Sequence, residues 1–219
     1  METSNERNAG SLILSQIAMF NEAMILFSET VEPEVLSCID KIVEDFCKKS
    51  NKWTGTFEFK NSYDCYVYLQ DWNHSKELES AEPIAWFAID IDAEKECEDF
   101  WTAIFCNESR GGIEAGFKFS VEHSVFGGKK AWKNYISLLD QKITAELESV
   151  GFKNIGQNEG NYFISFHLNA ETLAAAYNDA NGLDYEHETF DPVREALEKI
   201  DVSVDLFQKL ISQAPTNNS

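Results

Sequence analysis

The stretch WTGTFEFKNSYDCYVYL, residues 53–69, decides the fold. From Trp53 to Lys60 its residues alternate with the two-residue period of a strand that buries one face. Tyr63 to Leu69 is packed with aromatic and β-branched residues, which suit a pleated surface. Asn61 and Ser62 stand between the two runs, and the three pieces together predict an antiparallel hairpin.

Upstream the period is helical. Leu12, Ile13, Ile17, Phe20, Met24 and Phe27 recur mostly at gaps of three and four, which predicts a helix ending near Ser28. Glu32-Pro33-Glu34 then opens a second helix, because proline is tolerated in a first turn. Its apolar stripe is Val35, Leu36, Ile39, Ile42, Val43 and Phe46, and Lys48-Lys49 suits its C-terminal dipole.

Downstream, residues 75–83 read as an acidic loop. Ile84 to Ile91 is almost continuously apolar, as expected of a central strand buried on both faces. Asp92 is placed to cap a following helix that Glu94 and Glu96 enter and that ends near Arg110-Gly111-Gly112. Gly116 to His123 alternates as a fourth strand. Gly127-Gly128 turns into a helix over 129–150, closed by Gly151. Tyr162 to Leu168 is a fifth strand. Asn169, Asp191-Pro192 and Ser203 open helices.

The expected fold is therefore α+β: a single, mostly antiparallel sheet of about five strands with helices packed on it. It has an N-terminal helix pair and a C-terminal acidic helical segment. The boundaries read as a disordered leader over 1–9, an α+β core over 10–168, an acidic helical segment over 169–214 and a disordered tail over 215–219.

Composition narrows the function. The 219 residues carry 38 Asp plus Glu against 18 Lys plus Arg, a formal charge of −20 that repels nucleic-acid backbone. Direct nucleic-acid binding is not expected, and the partner that suits this field is a basic protein surface, such as that of a nucleic-acid-binding protein. The five cysteines, Cys38, Cys47, Cys65, Cys97 and Cys106, show no zinc or disulfide spacing and read as buried thiols of a reducing compartment. The first ten residues lack the pattern of a signal peptide, and no apolar run approaches the ~20 residues that span a bilayer. A cytoplasmic protein without membrane contact and without a cofactor is the expectation.

Five groups of residues are candidate sites. Glu58-Phe59-Lys60 matches the ExK triplet of metal-dependent nucleases, in which the carboxylate holds Mg²⁺ and the lysine steadies the attacking water. Asp90 and Asp92 share a face at the end of the central strand, a pair that suits a hard cation. Gly127, Gly128, Lys129 and Lys130 sit at a strand-to-helix junction, where free N–H groups bind anions, though P-loop spacing is missing. His74, His123, His167 and His187 show no metal spacing, but His123 and His167 lie in or beside strands. Either beside Asp90 would form an acid–base pair.

The fifth group is the acidic tail. Residues 171–205 hold ten carboxylates against Arg194 and Lys199 alone. Asp184, Glu186, Glu188, Asp191, Glu195 and Glu198 are its candidate partner-binding residues, because unrelieved helical carboxylates imitate duplex phosphates. The reading favoured is a non-enzymatic acidic binding protein of the inhibitor, antitoxin, immunity or nucleic-acid-mimic type. The alternatives are a metal-dependent phosphoesterase or nuclease using Glu58, Lys60 and Asp90, and a structural subunit of a larger assembly docking through apolar helices.

Overall fold

The computed structural model describes residues 4–73, 83–92, 98–139, 141–156, 159–179 and 182–214. Helix α1 (Ser4–Ser15) starts inside the stretch read as leader, and α2 (Ile17–Leu26) follows after a break at Gln16. The two axes bend by 88° there. A π turn, Phe27–Val31, joins α2 to α3 (Glu32–Lys49). The expected gap before Pro33 is thus bridged. Proline has no N–H to give, and the turn ahead of it widens so that Glu32 N–H reaches back to Phe27 O.

The hairpin forms as expected, with β1 (Trp53–Glu58) antiparallel to β2 (Asp64–Leu69). Its connection is a single helical turn, α4 (Phe59–Ser62), so Lys60 lies off the strand. That turn is held from a distance: Asp40 on α3 accepts the N–H groups of Phe59 (2.9 Å) and Lys60 (3.0 Å). Tyr63 closes it in the left-handed region, at φ 56°.

Among the described residues the sheet has six antiparallel strands in the order β1-β2-β3-β4-β6-β5. These add β3 (Ala85–Ile91), β4 (Ala115–Val121), β5 (Lys153–Ile155) and β6 (Asn161–Ser165). The sixth, β5, escapes sequence reading because three residues are too short to show a period. β3 is central but alternates: Ala85, Phe87 and Ile89 are buried, while Trp86, Ala88 and Asp90 are half-buried on the other face. This corrects the reading of a strand covered on both sides.

Helix α5 (Trp101–Phe105) is shorter than expected and its N-cap is Phe100, not Asp92. Asp92 serves the sheet instead, donating its N–H to Glu114 O and accepting Glu114 N–H on its carboxylate. Glu94 and Glu96 lie outside the described residues. The long helix expected over 129–150 is two, α6 (Lys129–Ser137) and α7 (Gln141–Val150). Gly151 ends α7 at φ 114°, as a C-terminal glycine does.

The chain finishes in α8 (Ala170–Asp179), α9 (Asp191–Val202) and α10 (Val204–Ser212). Asn169 caps α8 by accepting Thr172 N–H at 2.9 Å. α10 drives Phe207 into the inner face of the sheet, where its ring centroid lies 4.6 Å from that of Phe119, 4.9 Å from Phe87 and 5.1 Å from Phe152. Burying one such ring contributes roughly 1.5–3 kcal/mol before packing is counted. Among the described residues no single helix is long and apolar enough to cross a membrane.

Candidate functional site

Helix α9 buries Val193, Ala196, Leu197 and Ile200, so its opposite stripe must face water. Asp191, Glu195 and Glu198 fall on that stripe and are exposed. The segment leading into α9 adds Asp184, Glu186 and Glu188, also exposed. The six residues expected to bind a partner thus lie on one continuous piece of chain that α9 anchors to α3.

Their pairing is uneven. Arg194 gives its charge to Asp191 (2.5 Å) and bonds the carbonyls of Tyr185 and His187. Asp184 accepts Glu186 N–H at 2.9 Å, which shapes the loop. Among the described residues Glu186, Glu188, Glu195 and Glu198 have no cation within the 4.0 Å of an ion pair. Each is therefore solvated and available to a partner.

Between α3 and α9 lies a shallow cleft of ≈ 200 Å³ whose lining includes Asp45, Lys49, Tyr185, Glu186, Arg194 and Glu198. It is smaller than the roughly 300–1,000 Å³ of a small-molecule site, so it suits a protruding side chain better than a metabolite. A hydrogen bond to Asp45, then the Asp45 charge, pushes the Tyr185 hydroxyl above its ordinary pKa. The Lys41 ammonium stands 5.6 Å from the Tyr185 ring centroid, at cation–π range. Asp45, Lys41 and Tyr185 were not picked out from sequence, because nothing local signals a meeting of positions 140 apart.

The other candidates do not converge. Glu58 accepts Asn61 Nδ2 at 2.6 Å and lines a cleft with Asp40, Lys41 and Lys60. Asp90 binds Lys118 Nζ at 2.8 Å and Ile91 N–H at 2.8 Å on the open sheet face. β2 separates their strands. Two strand spacings, about 10 Å, part their backbones, and each carboxylate is bonded to a different neighbour. Among the described residues no group of three His, Cys, Asp or Glu side chains is arranged to hold a metal.

Gly127 and Gly128 adopt φ 79° and 88°, as the turn into α6 requires, and Lys129 and Lys130 are exposed beyond them. The neighbouring cation Lys133 is taken by Glu159 at 2.7 Å. That bond, with the Lys133 and Lys129 charges, outweighs burial and holds the Glu159 carboxyl below its usual range. The chain's own carboxylate thus already uses part of this positive field.

His123 sits in a 3-10 turn after β4, while His167 follows β6 and lies 3.7 Å from Glu114. Antiparallel pairing of β4 with β6 puts the two histidines at opposite ends, and neither contacts Asp90. His187 accepts Thr189 N–H at 3.1 Å, and His74 lies outside the described residues.

The fold is an α+β sheet protein with an acidic helical face. No family model matches the chain, and no curated protein and no solved structure matches it either.

Proposed function

We propose that this chain is a non-enzymatic binding protein whose acidic face, centred on the start of α9, docks on a basic protein surface. The observation that carries the reading is the set Glu186, Glu188, Glu195 and Glu198: exposed, close in sequence, and without an ion pair among the described residues. Such charges raise association rates at low salt and exclude acidic competitors. The cleft beside them sets Asp45, Glu186 and Glu198 against Lys49 and Arg194, three carboxylates to two cations for a partner's lysine or arginine to meet.

Affinity capture with the tagged chain, followed by mass spectrometry, supplies the partner. Its association rate is then measured from about 50 to about 500 mM salt, a range over which the Debye length falls severalfold. The rate is expected to drop at least tenfold; a flat profile rejects the proposal. Reversal of the four glutamates to lysine is expected to abolish capture. Reversal of Asp71, Glu108 and Glu148, exposed elsewhere, is expected to leave it nearly intact.

A second reading, a subunit of a larger assembly, is favoured by a separate observation. Helix α2 buries none of its residues, although eight of its ten are apolar.

A further inference from the structure

The apolar arm formed by α1 and α2 is the largest feature that the acidic face leaves without a role. Leu14 is 73% exposed, Leu12 and Ile17 57%, Leu26 55%, Met19 54% and Met24 50%; Ile25 and Ile13 follow. With on the order of 200 Å² per fully exposed side chain, these eight offer roughly 850 Å², close to what one partner contributes to a standard interface. Monomers rarely leave so large an apolar patch open. At its foot Phe27 meets Phe100 edge-on at 4.8 Å.

We propose that the arm pairs with the arm of a second copy of this chain, forming a two-fold symmetric dimer. Three observations select that occupant. The first is area, since two arms packed along one side of each bury a surface in the range of weak, reversible interfaces.

The second is charge. Residues 10–28 contain one ionisable side chain, Glu22, in a chain of net charge −20. Two copies repel everywhere except at a neutral patch, and the arm is that patch. A bilayer fits less well. α1 and the helix from Ile17 are together long and apolar enough to span one, but they bend by 88° at Gln16 and form no straight span. Residues 10–28 also hold no lysine or arginine for anionic headgroups.

The third is a receptor at the arm's foot. An apolar groove of ≈ 270 Å³ runs there, lined by Val31, Val35, Cys106, Leu173, Ala174 and Tyr177 among others. The arm cannot fold back into its own groove without breaking the helix that runs from Ile17 to Lys49. Antiparallel pairing of two α2 helices, by contrast, sets α1 of each copy at the foot of the other. Self-complementary contacts of this kind close at two copies.

This proposal rests on the assembly reading and not on the acidic face, and salt separates the two. Screening strengthens association between like-charged copies, whereas it weakens docking on a basic partner. Sedimentation velocity of the full chain over about 1–100 µM reads the state directly. The expected result is a reversible shift from 24.9 kDa to twice that mass, tightening as salt rises.

Leu14→Glu and Met24→Glu are expected to weaken the dimer about 100-fold, because each buries an unpaired charge. Both positions are exposed in the single chain, so the urea midpoint of the monomer should hold. A single 24.9 kDa species throughout the range overturns the proposal, and so does a dimer indifferent to both variants. Cosedimentation of the wild type with phosphatidylcholine vesicles, lost in both variants, would assign the arm to lipid and overturn it too. Oxidation of a Leu14→Cys chain is expected to link position 14 to Cys106 of the second copy. A link mapped elsewhere overturns the antiparallel arrangement.

Discussion

The Trp53 indole donates a 2.6 Å hydrogen bond to Asp201 Oδ1, tying the first strand to α9. Asp201 also meets Lys52 at 2.8 Å, so one carboxylate satisfies a buried indole and an exposed lysine together. Trp53 is only 2% exposed, so its indole N–H depends on this acceptor. The acidic face proposed to dock is thus fixed to the sheet as well as to α3.

Asp201→Ala is expected to cost about 1–3 kcal/mol in urea unfolding, mostly from the stranded indole. Asp201→Asn keeps an acceptor for Trp53 and should cost less, because the Lys52 bridge is solvent-screened, with the Asp201 side chain 36% exposed. Burial raises the Asp201 carboxyl, but Lys52 and Trp53 together outweigh it and hold it below its ordinary value. A carboxyl depressed in the folded state stabilises above its unfolded pKa and stops doing so as pH falls through the folded one. The gap between wild type and Asp201→Asn should therefore close below about pH 4.

Gly116 faces the backbone of β6. A Cβ there would stand 2.2 Å from Ile164 O and 2.8 Å from the Phe163 ring. Gly116→Ala is expected to cost about 3 kcal/mol or more, since a central strand cannot step aside. Gly10→Ala supplies the contrast, because nothing lies within 4 Å of a Cβ at that helical position. It should stabilise α1 by roughly 0.5–1 kcal/mol, seen as added helicity by circular dichroism.

Thiol chemistry should report burial. Burial pushes the Cys38 thiol up to about 11 and the Cys47 thiol up to about 12, and it raises Cys65 well above the ordinary value. Little thiolate exists at neutral pH to attack an alkylating reagent. Peptide-mapped labelling with iodoacetamide at about pH 7.5 should leave these three unmodified until urea unfolds the chain. Cys106, half-buried, should label before them, and early labelling of Cys65 would contradict the packing.

Reversing Glu186, Glu188, Glu195 and Glu198 to lysine should not destabilise the chain. None has an ion pair among the described residues to lose, and each change relieves repulsion in a chain of net charge −20. The melting temperature is expected to hold or rise by a few degrees, at about 0.5 kcal/mol per exposed site at most. A marked fall would show that the four have structural work and are not free for a partner.

Much of the fold was legible because local signals carry it. The hairpin over 53–69 announces itself by period, α3 by its apolar stripe, and α8 by the Asn169 cap. Other features leave no local mark. β5 is three residues long, and the turn at Phe59 forms because Asp40, nineteen residues upstream, takes its free N–H groups. Ile84 to Ile91 reads as doubly buried because composition records apolarity but not how many layers cover it.

For the site, sequence alone determined its sign and its stripe. Carboxylates spaced along α9 opposite apolar residues must face water whatever the helix packs on. Tertiary structure decided which of them stay unpaired, since Arg194 reaches Asp191 while Glu195 and Glu198 meet no cation among the described residues. It also decided that Glu58 and Asp90 stand on strands that β2 separates, and that the apolar residues of α2 find no core among the described residues. Periodicity is a property of neighbours along the chain, whereas pairing and burial depend on which distant segments arrive beside them.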